Sequence, residues 1–271
     1  MQNFHFKQPL DLQKTLSCGQ CFHWRQTDER TFCGVEGGNL YRAVQQDDGS
    51  VIFYWETGTR QTIVKAFDLD RDYEALCQKF AKNKLLALAV KQGVGLRLMN
   101  ISPWEALCTF ILSQNNNIGR ITGLVNTLCS LYGTHIKDGF YTFPSPQALA
   151  CLTAEDLAPV KAGFRAKYLI DAAKKIAEGA MDLDALDRHS DRYIRKKLMS
   201  IYGVGPKVAD CVLLFGFGRI RVVPMDVWMK RVVQNGFGGK LPRCCANAEG
   251  IAQQFLFDFA RSNPNYFKNE Q

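Results

Sequence analysis

The sequence predicts an α+β fold in which a small antiparallel β-sheet is followed by a larger helical part. Residues 1 to 60 contain aromatic and β-branched stretches that partly alternate with polar residues, as strands do. From about Asp70 onward, apolar residues recur three and four positions apart, which is typical of helices. The length of 271 residues allows one large domain or two of moderate size.

The strand-like part contains the stretches CGQCFHWRQ, TFCGVEGGNLYRAVQQ and SVIFYWETG. The turn-forming clusters TDER and QDDGS separate them, so we expect an antiparallel sheet. The cysteines of CGQC have the spacing of half a metal site, but no partner pair accompanies them. We therefore expect Cys18–Cys21 to be strand residues.

A first helical stretch, RDYEALCQKFAKNKLLALAV, precedes the loop QGVGLRLMNI. We take this loop as the junction between two domains. The prediction is a β-rich domain with a helix at residues 1–95 and a helical domain at residues 96–271.

Start and stop signals divide the helical domain. Ser102 and Glu105, in SPWE, match a capping box for a helix that runs through Leu112, and Gly133 and Gly179 are expected to end later helices. Further helices are predicted in SPQALACL, SDRYIRKKLMSIYGVG, PKVADCVLLFGFG, DVWMKRVVQNG and ANAEGIAQQFLFDFARS.

Composition and charge restrict the function. The 34 Lys and Arg against 26 Asp and Glu give a net charge of +8, which favours a polyanionic partner. No run approaches the roughly eighteen apolar residues of a membrane span. The N-terminus lacks an apolar signal core, so we expect the ten cysteines to be reduced thiols. We therefore expect an intracellular protein, cytoplasmic in a bacterium or archaeon and nuclear in a eukaryote.

The segment IYGVGPKVADC joins two predicted helices through a glycine turn. Gly203 and Gly205 allow positive φ and close approach, and the second helix offers free N–H groups, so the turn could hold a phosphate. An ordinary αα-hairpin, in which the glycines merely make the turn, is the alternative.

Lys207 lies in the first turn of that second helix, where the helix dipole disfavours a cation by ~0.3–1 kcal/mol. It is therefore a phosphate contact, an ordinary helix residue, or an amine whose neutral, nucleophilic form is favoured by burial and by the dipole. Cys211 follows four residues later on the same face, and its simpler interpretation is a core thiol.

Asp226 precedes a predicted helix that ends at Gly236, which is the position of an N-cap. A capping carboxylate stays ionised because the helix N-terminus stabilises its charge. If Lys207 and Asp226 converge on one cleft, the amine and the carboxylate suit displacement at a sugar carbon.

Three stretches, in the same order as in a known family, are LSCGQCFHWR, FILSQNNNIGRITGLVNTLCSLYG, and the hairpin block that leads to VVPMDVW. With them the chain resembles the helix-hairpin-helix (HhH-GPD) DNA glycosylases, and within these the 8-oxoguanine DNA glycosylase branch. The resemblance implies a TATA-binding-protein-like β domain followed by a two-part helical domain around a base pocket. It also implies a monomeric, bifunctional glycosylase and abasic-site lyase that acts on double-stranded DNA containing 8-oxoguanine opposite cytosine.

The resemblance assigns roles to the reacting residues. Lys207 would attack C1′, expel the base and form a Schiff base that permits β-elimination of the 3′ phosphate. Asp226 would stabilise the developing charge on the sugar and assist proton transfer.

The resemblance also assigns the residues that bind the base. The purine would lie between Cys211 and Phe257, with Gln253 at its Watson–Crick edge, and the Gly19 carbonyl would accept the N7 hydrogen that distinguishes 8-oxoguanine from guanine. Taken singly, Gly19 could equally be a turn glycine, Phe257 a core aromatic and Gln253 a solvated helix residue.

DNA contacts follow from the same resemblance. Asn115 would fill the gap left by the flipped base, Phe164 would wedge the opposite strand, and Arg120 and Arg165 would recognise the orphaned cytosine. The simpler interpretations are a polar loop for the asparagine run and a solvated first-turn charge for Arg165. The phosphate would lie on Gly203, Val204 and Gly205.

No cofactor is expected. A structural monovalent or divalent cation could lie at the hairpin, held by backbone carbonyls, and the four-cysteine iron–sulfur loop of other superfamily members is unmatched because Cys244 and Cys245 are adjacent and no cysteine follows. Two other functions stay open: a monofunctional glycosylase for alkylated purines that uses Asp226 and water, and a non-catalytic DNA-binding protein.

Overall fold

The computed structural model describes residues 1–267 and begins with a five-stranded antiparallel sheet, as predicted. Its strands have the spatial order β1-β5-β4-β3-β2. Their bounds are β1 (Gln2–Phe6), β2 (Trp24–Asp28), β3 (Thr31–Glu36), β4 (Asn39–Gln45) and β5 (Val51–Trp55).

Strand β1 and the short helix α1 (Leu12–Ser17) were not predicted. The prediction that Cys18–Cys21 are strand residues was wrong. Cys18 ends α1, and Gly19 has a φ of +84°, so the chain turns there and the next strand begins only at Trp24. A left-handed residue of this kind cannot continue a strand.

The remaining chain is mainly helical, as predicted, with one small β-hairpin of β6 (His135–Lys137) and β7 (Phe140–Tyr141). The helices are α2 (Arg60–Ala66), α3 (Tyr73–Phe80), α4 (Lys84–Gln92), α5 (Pro103–Leu112), α6 (Ile118–Tyr132), α7 (Pro146–Ala150), α8 (Arg165–Ala177), α9 (Leu183–Leu186), α10 (Asp191–Leu198), α11 (Pro206–Cys211), α12 (Val227–Phe237) and α13 (Glu249–Ser262). None of those helices is long and apolar enough to span a membrane.

Local capping explains where these helices begin. The Ser102 hydroxyl accepts a hydrogen bond of 3.1 Å from the Glu105 N–H, so α5 starts as predicted. The Asn83 side chain caps α4 and thereby divides the first predicted helical stretch into two helices. The chain thus follows local signals closely, although the domain boundary at residue 95 stays a prediction.

A π-helical turn at Val212–Gly216 follows α11 and packs against α5. The rings of Phe110 and Phe215 stack at 5.2 Å, and a Cβ on Gly216 would lie only 2.9 Å from the Pro103 Cα. This packing fixes the start of α11, which carries Lys207, relative to the end of α5.

Ionisable side chains are buried where the sheet meets the helical part. The indole N–H of Trp24 donates to Glu36 Oε1 at 2.8 Å, and His23 Nδ1 lies 3.7 Å from Glu105 Oε2. Burial, and secondarily the charge of Glu105, raises the pKa of Glu36 to about 8. The glutamate side chain of the predicted capping box therefore contributes to this cluster through its contact with His23.

Candidate active site

A cleft of about 590 Å³ is lined by Gly19 and Phe22, which precede β2, and otherwise by residues of the helical part. One side, the sheet-side wall, consists of the Cys18–Cys21 turn with α13. The other, the loop-side wall, consists of the Gln114–Asn117 loop with the start of α11. Five of the predicted site residues line the cleft: Gly19, Asn115, Lys207, Asp226 and Phe257. The predicted amine and carboxylate therefore converge on one cavity.

Lys207 is half-buried at the second position of α11. Its Nζ lies 3.4 Å from the Ser113 hydroxyl oxygen and 5.4 Å from the centroid of the Phe110 ring. One long hydrogen bond and one aromatic face leave the amine available to a molecule in the cleft.

Asp226 caps α12 as predicted: its Oδ1 accepts a hydrogen bond of 2.8 Å from the Met229 N–H. The cap holds the carboxylate at the cleft while using a single oxygen for that bond. Lys230 and Arg261 also line the cavity, which gives it further positive charge.

Cys211 lies behind Lys207 and is 3% exposed. Burial raises the pKa of its thiol to about 11, against the lowering effect of the neighbouring Lys207. The sulfur is therefore a neutral, polarisable packing group at neutral pH. Its contact with a flipped base stays a prediction.

Gln253 and Phe257 lie one turn apart on α13, with Phe257 half-buried in the cleft. Gln253 is 5% exposed, and its buried Oε1 finds no hydrogen-bond partner among residues 1–267. The interpretation of Gln253 as a solvated helix residue was thus wrong. A buried, unpaired amide oxygen in a native fold calls for a missing partner.

Gly19 faces the same cleft in its left-handed conformation. A Cβ at this position would approach the Ile118 Cδ1 to 2.9 Å. Both the backbone conformation and the space available therefore favour glycine. Whether its carbonyl recognises a base hydrogen stays a prediction.

Arg165 is 4% exposed and binds the backbone of the loop-side wall. Its Nε donates to the Gln114 carbonyl at 2.7 Å and its Nη2 to the Asn115 carbonyl at 3.0 Å. A further bond of 3.2 Å joins Nη1 to Ala162. The interpretation of Arg165 as a solvated charge was wrong, because the guanidinium braces the loop that holds Asn115 at a φ of +50°.

Other predicted DNA contacts lie beside this loop. Arg120 is exposed in the first turn of α6. Phe164 is 52% exposed, and its ring centroid lies 5.7 Å from that of Tyr168. Their roles on DNA stay predictions.

The two glycines of the hairpin between α10 and α11 differ in conformation. Gly203 has a φ of +78°, and a Cβ there would collide with the Tyr168 ring. Gly205 has a φ of −96°, so it does not use the positive φ that glycine allows. It caps α11 with no atom near its missing Cβ, and the helix N-terminus stays open, while Val204 is buried.

Sequence reasoning missed several polar residues of the cleft, among them Ser113 and Gln114. Ser113 contacts Lys207, and the buried Nε2 of Gln114 lacks a hydrogen-bond partner within the described chain. They precede the asparagine run directly. The signal that could have found them is a polar pair at the end of the otherwise apolar helix α5.

All ten cysteines are free thiols. Within residues 1–267, no group of three or more His, Cys, Asp or Glu residues is arranged to hold a metal ion. The hairpin cation and the lack of a cofactor requirement stay predictions, since backbone carbonyls could hold a cation without such a group.

Comparison with known proteins places the chain in a family. Residues 4–107 match the N-terminal domain of 8-oxoguanine DNA glycosylase, and residues 108–241 match the HhH-GPD superfamily of base excision DNA repair proteins. The N-glycosylase/DNA lyase of Saccharomyces cerevisiae is 32% identical over 260 residues, which cover 85% of this chain and 69% of the yeast protein. The chain belongs to the 8-oxoguanine DNA glycosylase family.

Solved structures of this family share the whole architecture. MBOgg1 in complex with a low-affinity DNA ligand is 33% identical, with a TM-score of 0.90 over 97% of this chain and 96% of its own. The Clostridium acetobutylicum 8-oxoguanine glycosylase/lyase, in complex with double-stranded DNA containing cytosine opposite 8-oxoguanine, is 29% identical, with a TM-score of 0.87 over 94% and 93%. These similarities confirm the predicted order of a β-rich domain followed by a helical HhH-GPD domain.

Proposed function

We propose that this chain is a bifunctional DNA glycosylase and abasic-site lyase that removes 8-oxoguanine opposite cytosine from double-stranded DNA. The observation that carries the proposal is the convergence of Lys207 and Asp226 on one cleft of about 590 Å³. Family membership supports the same reaction class, since its yeast relative is named an N-glycosylase/DNA lyase.

The chemistry begins at C1′ of the damaged nucleoside. The lone pair of Lys207 Nζ forms a bond to C1′, the C1′–N9 bond breaks, and the base leaves with its electron pair and takes up a proton. The carboxylate of Asp226, at the start of α12, stabilises the positive charge that develops on the sugar.

Strand cleavage follows from the covalent intermediate. Loss of the amine proton and opening of the sugar ring convert the adduct to a Schiff base between Nζ and C1′. Removal of a proton from C2′ then expels the 3′ phosphate by β-elimination. The expelled base, Asp226 or water can carry these protons.

Base recognition requires the nucleotide to leave the helix, at a cost of roughly a few kcal/mol. The Nε2 of Gln114 supplies an unpaired donor at the cleft, and the buried, unpaired Oε1 of Gln253 lies one turn before Phe257, which lines it. The Gly19 carbonyl would accept the N7 hydrogen, and Cys211 and Phe257 would face the two sides of the purine. A buried polar group that gains its partner only from the correct base gives strong discrimination.

The DNA strand that carries the damaged base would lie across the loop-side wall and the hairpin. The open N-terminus of α11 offers N–H groups to a phosphate, with a cation on the hairpin carbonyls as a further bridge. Asn115 would occupy the vacated space, and Phe164, Arg120 and Arg165 would contact the opposite strand.

A base-release assay tests the proposal most broadly. Duplexes that carry 8-oxoguanine opposite each of the four bases, or an alkylated purine, are incubated with the wild-type protein and with Lys207→Gln. We expect the wild type to release 8-oxoguanine fastest opposite cytosine and to nick the strand, and Lys207→Gln to do neither.

A matched control is Lys196→Gln, which removes an equal charge from an exposed position of α10. It should keep base release and change only the salt dependence of binding. Release of alkylated purines by Lys207→Gln would instead indicate a monofunctional glycosylase, and salt-sensitive binding without release of any base would indicate a binding protein.

A further inference from the structure

Two buried glutamines join the two parts of the sheet-side wall. Gln20 directly follows Gly19 and is fully buried, and Gln254 directly follows Gln253 and is 3% exposed. The Nε2 of Gln254 donates a hydrogen bond of 3.0 Å to the Oε1 of Gln20. Each amide therefore lies one residue from a predicted contact with the base.

Both N–H groups of the Gln20 amide donate hydrogen bonds, and its oxygen accepts two. Its Nε2 donates to the Thr15 carbonyl at 2.7 Å and to the Arg97 carbonyl at 2.8 Å, and its Oε1 also accepts from the Met99 N–H at 3.1 Å. Because these partners are backbone groups, the orientation of the amide is fixed. Gln20 thus holds the end of α1, the loop before α5 and helix α13 at one point.

These hydrogen bonds matter because they restrain the backbone next to Gly19. A glycine has more backbone freedom than any other residue, and Gly19 has the left-handed φ of +84°. A carbonyl that distinguishes two purines by one N–H group must lie within a hydrogen-bond distance of about 2.7–3.2 Å. A shift of the turn by a fraction of an ångström would remove that discrimination.

We propose that the Gln20–Gln254 pair positions the Gly19 carbonyl against Gln253 and Phe257, and that it thereby sets the selectivity for 8-oxoguanine over guanine. The inference rests on the proposed function of the cleft. Lys207 stands on the opposite wall, and an abasic site carries no base to recognise. Cleavage of abasic DNA should therefore not depend on the pair.

The substitution Gln254→Met tests this inference, because methionine has a similar volume and no N–H donor. A Gln20 substitution is unsuitable, since it removes a hydrogen bond from each of three buried backbone groups and is expected to unfold the chain. Single-turnover rates are measured on 8-oxoguanine opposite cytosine, on guanine opposite cytosine, and on an abasic site. We expect release of 8-oxoguanine to fall about 10- to 100-fold and abasic cleavage to stay within about twofold of wild type.

Two further variants separate positioning from stability. Gln254→Asn keeps an amide donor on a shorter side chain and should recover part of the selectivity. Gln45→Met removes a half-buried amide that does not line the cleft and that bonds the Leu10 carbonyl and the Leu12 N–H at 2.9 Å each. It should lower the melting temperature without changing the ratio of the three rates.

The outcomes are distinct. If Gln254→Met slows 8-oxoguanine release and abasic cleavage equally, or leaves both at the wild-type rate, the inference is overturned while the proposed function stands. If the wild-type protein releases no 8-oxoguanine, the proposed function fails and the inference fails with it.

Discussion

The two walls of the cleft are supported in different ways. The sheet-side wall is tied by the side-chain amides of Gln20 and Gln254, whose bonds lie in the dry interior. The loop-side wall is tied by the guanidinium of Arg165, which grips backbone carbonyls of an exposed loop. Under the proposed function, the wall that would distinguish one hydrogen atom is held by buried amides, whereas the wall that would receive distorted DNA keeps exposed side chains on a braced backbone.

The largest effect is expected at Asp226, which lines the cleft outside both walls as defined above. Asparagine caps helices about as well as aspartate, so Asp226→Asn keeps the start of α12 and removes the charge. We expect base release to fall by about 10²- to 10³-fold, because the developing charge on the sugar loses its partner. Single-turnover release, with a melting curve in parallel, measures both effects. A melting temperature that falls together with the activity would assign Asp226 to capping alone.

A smaller effect is expected from Arg165→Met, which removes the hydrogen bonds that hold the loop-side wall. The Gln114, Asn115 and Ala162 carbonyls lose their donor, and we expect excision to fall by about 10- to 100-fold. Arg165→Lys should not restore it, since one ammonium group cannot replace the planar fork.

The opposite base distinguishes the two roles of Arg165. If Arg165 acts as a brace, Arg165→Met lowers excision equally opposite all four bases. If it also reads the orphaned cytosine, the preference for cytosine is lost as well. Wild-type excision by Arg165→Met would contradict both roles.

The two hairpin glycines form a matched pair. Gly203→Ala should destabilise the fold by about 1–3 kcal/mol, because alanine is strained at this positive φ and its methyl group meets the Tyr168 ring. Gly205→Ala should leave stability unchanged, because its φ is ordinary and nothing lies near its missing Cβ. It should weaken DNA binding, by about 10-fold, where its methyl group crowds a bound phosphate. Denaturant unfolding and binding titrations check the pair, and wild-type DNA affinity in Gly205→Ala would argue against a phosphate at the turn.

The smallest effect is expected from Glu36, the last residue of β3, and it concerns stability. Its folded pKa of about 8 lies above the ordinary value of 4.5, so the unfolded chain binds fewer protons between these two values. The free energy of unfolding should therefore fall as the pH rises through this window, and Glu36→Gln should lessen the fall. Denaturant titrations from pH 5 to pH 8 measure it. Parallel profiles for the two proteins would show that Glu36 is not the group responsible.

Local signals predicted much of the fold. The starts of α5 and α12 could be predicted from Ser102 and Asp226, because an N-cap needs only the N–H groups of the residues that follow it. The turn at Gly19 was taken for strand because the sequence around it has strand composition, while its left-handed φ, and the proximity of Ile118 that leaves no room for a Cβ, appear only in the folded chain. Strand β1 escaped prediction because it gains its partner, β5, only in the folded sheet.

The candidate site likewise has features that local sequence could predict and features that appear only in the folded chain. Residue type and position on a helix were enough to select Lys207 and Asp226, and the resemblance supplied the rest. The brace formed by Arg165 and the contact between Gln20 and Gln254 join residues 50 and 234 positions apart, respectively, so no local pattern contains them.

Borohydride trapping tests the central claim most directly. Wild-type protein is incubated with duplex DNA that contains 8-oxoguanine opposite cytosine, in the presence of borohydride, and the covalent product is digested and analysed by mass spectrometry. The mechanism predicts a protein–DNA adduct on Lys207, which Lys207→Gln lacks and Lys196→Gln retains. No adduct with the wild type, or an undiminished adduct with Lys207→Gln, would contradict it.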